Sequence, residues 1–264
     1  MSDEDHTERE TVMTMLRTRR IAAAVAACLT VAGLSACKSD PSVAAYLGDA
    51  GTVTEQRVQE VWDEAYDALR AQPRGATAGQ SLAPEPVKVP FSRTDVVNAL
   101  VSSEIYDRVA ADRGATLPAT LPFDEAAAQL GLPADLEYVR LYTRNAILRN
   151  QIEESVKDPA TPSEDDLRDV YQRFAANGGL EPGMDFAAFR SSVPAEAMTA
   201  LGSAITVRDA VVAEAQELDV TVNPRYQPLE LGMYGINDSN SGRVYQIVAA
   251  ALGADERTPV ADVS

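Results

Sequence analysis

"VAAYLGDAGTVTEQRVQEVWDEAYDALR", residues 43–70, holds both kinds of pattern on which the fold depends. Its first part, Val43 to Val53, has strand-like and turn-like pieces around Gly48, Asp49 and Gly51. Thr54 then stands at a helix start. Behind it Val58, Val61, Trp62, Ala65 and Leu69 recur at three- and four-residue spacing, which gives a helix one apolar face. A short strand and turn feeding an amphipathic helix is the opening unit. Trp62, the only tryptophan, falls on the inward face and reads as core rather than as a ligand platform.

Outward from this unit the helical pattern continues. Residues 72–90, "QPRGATAGQSLAPEPVKVP", are proline-rich, carry two glycines and have no helical period, so they form a loop or tolerated insertion. Ser92 and Asp95 make a capping-box start for a second helix with Val97, Leu100, Val101, Ile105 and Val109 inward, ending at Gly114. "FDEAAAQLG" is a short third helix. A long fourth runs from about Ala134 to Lys157 with Leu136, Val139, Tyr142, Ala146 and Ile152 inward.

"TPSEDDLRDVYQRFAANGG" starts at Pro162 and Ser163, places Glu164, Asp165 and Asp166 where they complement the helix dipole, and stops at Gly178 and Gly179. A last helix from about Pro194 to Leu218 buries Met198, Leu201, Ile205, Val212 and Ala215. Two short strands follow, around the polar turn "NDSNSG". The fold class expected is mostly α: several packed helices around residues 43–252, with a small β element formed by N- and C-terminal segments and a flexible tail over 253–264.

The N-terminal region has a different character. "RTRRIAAAVAACLTVAGLSAC", residues 17–37, puts Arg17, Arg19 and Arg20 before thirteen apolar residues, Ile21 to Gly33, with the small Ser35 and Ala36 next. That is the order of an export signal, and the apolar run is short of the roughly 20 residues a spanning helix needs. The run Leu34, Ser35, Ala36, Cys37 resembles the lipobox of bacterial lipoproteins. The resemblance implies lipidation of Cys37, cleavage before it, a tether over residues 37–42 and a place on the extracytoplasmic face of the cell membrane. Acyl chains hold by burying methylenes at about 0.8 kcal/mol each. Cys28 would leave with the signal, residues 1–36. The stretch ahead of Arg17 is acidic, which leaves Met13 or Met15 as alternative starts, and "TRRIAAA" fits a twin-arginine signal poorly.

Composition narrows the chemistry. The whole chain has a net charge of −17, and beyond the leader 35 acidic residues face 19 basic ones, so nucleic acid and anionic headgroups are repelled. The only histidine is His6, ahead of the signal, so the exported part has no Ser-His-Asp or Cys-His chemistry and no histidine-bound zinc. Glu164, Asp165 and Asp166 are neighbours on a helix and point in different directions, which argues against a metal site. Asp238, Asn240 and Gly242 have calcium-loop spacing but lack the further carboxylates such a loop requires. No catalytic residue, cofactor or metal is expected. A glycosidase using two carboxylates needs no histidine, but the carboxylates here scatter over helix surfaces.

Three stretches together resemble the extracytoplasmic chaperone and foldase family of SurA and PrsA. "VAAYLGDAGTVTEQRVQEVW" is similar to the family's opening strand, turn and first helix. "TPSEDDLRDVYQRF" resembles the segment leading into the prolyl-isomerase domain, and "AITVRDAVVAEAQELDVTVNPRY" the closing helix and strand. Only about twenty residues separate Asn177 from the last helix, against the ~50 of a small domain, so a parvulin domain has no room. The resemblance implies a chaperone core without isomerase activity, binding unfolded or exported polypeptides through an apolar surface; a lipoprotein holding one specific envelope protein is the alternative. For the anchor, Cys37→Ser is expected to leave the precursor uncut and without acyl chains, measured by metabolic labelling with a fatty acid and by gel mobility.

Overall fold

Local capping chemistry sets most helix starts. In the computed structural model, residues 40–72, 86–237 and 244–253 are described. The export signal, Cys37, residues 73–85 of the proline-rich loop, the turn with Asp238, Asn240 and Gly242, and the tail after 253 lie outside them.

Strand β1 (Val43–Leu47) turns through Gly48–Ala50 into β2 (Thr52–Thr54). The Thr54 side chain accepts from the Arg57 N–H and opens α1 (Glu55–Ala71), with Val58, Val61 and Ala65 buried. Ser92 and Asp95 exchange side-chain and backbone hydrogen bonds at the start of α2 (Arg93–Arg113), which ends where Gly114 takes the left-handed conformation at φ 67°. After α3 (Phe123–Leu130) comes α4 (Glu137–Glu154), shorter at both ends than its apolar period suggests. Ser163 and Asp166 build a second capping box on α5 (Glu164–Ala176). Then follow α6 (Phe186–Ser192), α7 (Ala195–Glu217), β3 (Val220–Val222), β4 (Leu229–Asn237) and β5 (Val244–Leu252). The protein is mostly helical with a small antiparallel β component, as the sequence pattern implies.

Two features depart from expectation. Tyr142 was placed inward, yet it is 43% exposed. Phe91 stacks on Tyr138 one turn earlier, with ring centroids 3.7 Å apart, but makes no ring contact with Tyr142, so the outer turn faces water. Helix α6 lies in the stretch between Asn177 and the last helix, to which the sequence pattern assigns no element; Asp185 caps it by accepting from the Ala188 N–H at 2.8 Å. Trp62 is half-buried, stacked on Tyr66 and covered by the Arg93 guanidinium at 4.4 Å, which agrees with a packing role.

The β component joins the two ends of the described chain. The sheet order is β2-β1-β3, all antiparallel, so β3 from the C-terminal part pairs with β1 from the N-terminal part. Asn223 reinforces the seam, donating from its backbone to Ala44 O at 2.9 Å and from its amide to Val43 O at 3.0 Å. The Tyr226 hydroxyl donates to Glu55 at 2.7 Å; burial and this carboxylate push its pKa up to about 12. Strands β4 and β5 form a separate hairpin against α7 and α5.

Helix α7 is positioned by a close approach. An added Cβ at Gly202 would stand 2.2 Å from the Ala160 carbonyl oxygen, while Thr206 one turn on accepts from the Ala160 N–H at 3.0 Å. Only glycine lets that segment lie on the helix. Gly202→Ala is expected to destabilise the fold by about 1–3 kcal/mol through overpacking, read as a lower urea midpoint with unchanged m-value.

Candidate functional site

Aromatic contacts between α5 and α6 set one wall of an open cleft, in which Phe174 and Phe189 face the space. Tyr171 meets Phe186 edge-on at 5.8 Å and Phe189 at 5.5 Å, and Phe174 meets Phe189 at 5.8 Å. These pairs pin α6 across α5. The intervening loop is fastened by the Tyr171 hydroxyl, which donates to Met184 O at 2.9 Å, and by the Gly179 N–H, which donates to Phe174 O at 2.9 Å. Only Val193 and Pro194 separate α6 from α7, so the two helices diverge from a tight corner.

Between that corner and the hairpin lies a cleft of about 230 Å³. Val170 and Phe174 come from α5, Phe189 and Ser192 from α6, Ala197 and Leu201 from α7, Tyr234 and Ile236 from β4, and Ile247 from β5. The walls are almost wholly apolar. Ser192 donates its hydroxyl to Phe189 O at 2.8 Å, and the Tyr234 hydroxyl has no hydrogen-bond partner among the described residues. None of these elements supplies a nucleophile with a base beside it. What the geometry offers is burial of an apolar group of side-chain size.

The residues singled out from sequence lie elsewhere or are committed to structure. Glu164 pairs with Arg168 at 2.9 Å and Arg190 at 3.8 Å, and Asp166 serves the capping box and pairs with Arg208 at 2.8 Å. Asp165, Glu164 and Asp166 do not converge, and among the described residues no group of three His, Cys, Asp or Glu side chains is arranged to hold a metal ion. Among the same residues no helix is long and apolar enough to cross a membrane. The cleft itself was not read from sequence. No run of neighbouring residues signals it, because its walls are drawn from five elements.

Two carboxylates carry opposite electrostatic loads. For Asp166, burial works against ionisation, but hydrogen bonds from Ser163 and the Arg208 guanidinium outweigh it and hold the pKa below the usual range. Glu214 on α7 is 9% exposed; burial first, then Glu217, Asp112 and Asp49, raise its pKa against the single opposing Arg108 guanidinium at 3.9 Å. Linkage then gives opposite signs. Ionised Asp166 adds stability above the carboxylate range that is lost as pH falls through its depressed folded pKa. Ionised Glu214 subtracts stability as pH rises from the unfolded glutamate value, about 4.3, through its raised folded pKa.

Compared with known proteins, the chain matches no family model, no curated protein and no solved structure. At pH 7, Asp166→Asn is expected to lower the melting temperature and Glu214→Gln to raise it. Both differences should shrink toward pH 3, as calorimetry across pH would measure.

Proposed function

We propose that this chain is a lipid-anchored, chaperone-like binder of unfolded or exported polypeptides, acting as a holdase at the outer face of the cell membrane, without prolyl isomerase or other enzymatic activity. The apolar cleft of about 230 Å³ carries the reading, because it offers an open, apolar-walled space of the size that one protruding side chain fills. The export and lipobox pattern ending at Cys37, and the resemblance to the SurA and PrsA family, supply the compartment and the class of client.

The energetics suit holding without chemistry or nucleotide. Burying one bulky apolar side chain contributes about 1.5–3 kcal/mol, which is one to two decades of affinity. Such a contact slows aggregation of a client yet releases it on its own. The strong negative charge also keeps client-loaded protein soluble.

The test follows light scattering from a chemically unfolded, aggregation-prone client. Addition of the protein at near-stoichiometric amounts is expected to suppress scattering, with an equally acidic control protein inert. No suppression across several clients would turn the reading toward a lipoprotein that holds one folded envelope partner, which crosslinking at the membrane would then identify.

A further inference from the structure

We infer that the cleft selects, among extended polypeptide segments, those in which one bulky apolar side chain is flanked by basic residues. The inference rests on the binding function proposed above and adds a charge rule to it.

The size of the cleft sets the first half. A cavity of about 150 Å³ is enough to take a benzene ring, whereas pockets for drug-sized ligands and cofactors run from about 300 Å³ upward. At about 230 Å³, this cleft accommodates one aromatic or branched aliphatic side chain and not a whole cofactor. The half-buried Tyr234, whose hydroxyl is without a partner among the described residues, lines the cleft and offers a polar group to an occupant.

The charge of the surrounding elements sets the second half. Across residues 164–197, which supply the α5, α6 and first-turn α7 walls, seven acidic residues face three arginines. All three arginines are already committed. Arg168 pairs with Glu164, Arg173 with Asp169 at 2.9 Å and Glu230 at 3.1 Å, and Arg190 with Glu164. Asp165, Glu181 and Glu196 have no ion-pair partner among the described residues, and the exposed Glu196 lies in the first turn of α7, the turn that supplies Ala197 to the cleft wall. An apolar slot in an anionic frame favours a cationic frame on its occupant, and the preference is screened by salt.

The experiment uses the full chain in detergent micelles and two fluorescein-labelled Gly-Ser decapeptides, each with one central phenylalanine. One peptide carries two lysines on each side of it and the other two glutamates. Fluorescence anisotropy at 20 mM salt is expected to show about tenfold tighter binding of the lysine peptide, falling below about twofold at 0.5 M salt, where the Debye length shrinks to a few ångströms. Ala197→Phe, which fills the slot, should abolish binding of both peptides while circular dichroism stays unchanged. Glu196→Lys should narrow the lysine preference without closing the slot. Equal affinities at low salt overturn the charge rule and leave the binding function standing. Absence of binding by either peptide, or an Ala197→Phe protein that binds as well as its parent, overturns the binding function itself.

Discussion

Helix α2 carries more of the buried core than any other described helix, and much of the described fold is arranged around it. From Val96 to Ala110 none of its residues is exposed. It packs against α1, α4 and α7 and against strands β1, β2 and β4, so each layer of the molecule touches it. On a helix packed on so many neighbours, the polar side chains at the seams find protein partners. Asn98 donates to Glu230 O at 2.7 Å, and Ser103 and Asp107 receive the Arg144 guanidinium. Ser102 lies in the α4 contact, where the Asn145 amide donates to it at 3.0 Å and to Ala99 O at 2.8 Å. The Asn145 carbonyl oxygen is left buried without a partner. That orphan opposes stability by about 1–3 kcal/mol, so the α2–α4 seam depends on its apolar contacts, Val97, Val101, Val139 and Leu148 among the buried residues of the two helices.

The second constraint is topological. Pairing β3 with β1 joins residues 45–47 to 220–222, so the sheet closes a loop that holds all the described helices. Contacts of such sequence separation are expensive in loop entropy. Here they are reinforced by polar groups that do not belong to the ladder: Asn223 on the backbone of β1, Arg225 on Pro41 O at 2.9 Å, and Tyr226 on Glu55. Glu55 occupies the first turn of α1, where a carboxylate is favoured by the helix dipole, so the same residue closes the sheet and anchors the helix.

What sequence could tell depended on the range of the interaction. Thr54, Ser92 with Asp95, and Ser163 with Asp166 were legible as helix starts because a cap is made within four residues. Gly114 was legible as a stop for the same reason. The strands around the 237–242 turn were legible from alternation. Tyr142 misled because helical period says which side of α4 is apolar but not how far Phe91 reaches along it. Helix α6 was hidden because seven residues give too few turns for a period to show, and its stability comes from the Tyr171 and Phe174 rings of another helix. The cleft was out of reach altogether, since its walls come from five elements between residues 170 and 247.

Those five elements also explain why the cleft stays open. Its α6–α7 corner is fixed by Val193 and Pro194, and the residues facing the space there, Ser192 and Ala197, are too short to fill it. The hairpin that supplies the facing wall is fixed through polar contacts of β4. Arg173 binds Glu230 through two nitrogens at 3.1 and 3.2 Å, Asn98 holds Glu230 O, and the Arg149 guanidinium donates to Gly232 O at 3.0 Å. These bonds tie the hairpin to α5, α2 and α4. An apolar cavity that its own walls cannot collapse onto is preorganised, and a guest entering it is spared the ordering that a flexible surface would require. The polar tethers on β4 therefore shape the cleft as much as the Phe174 and Phe189 rings that line it.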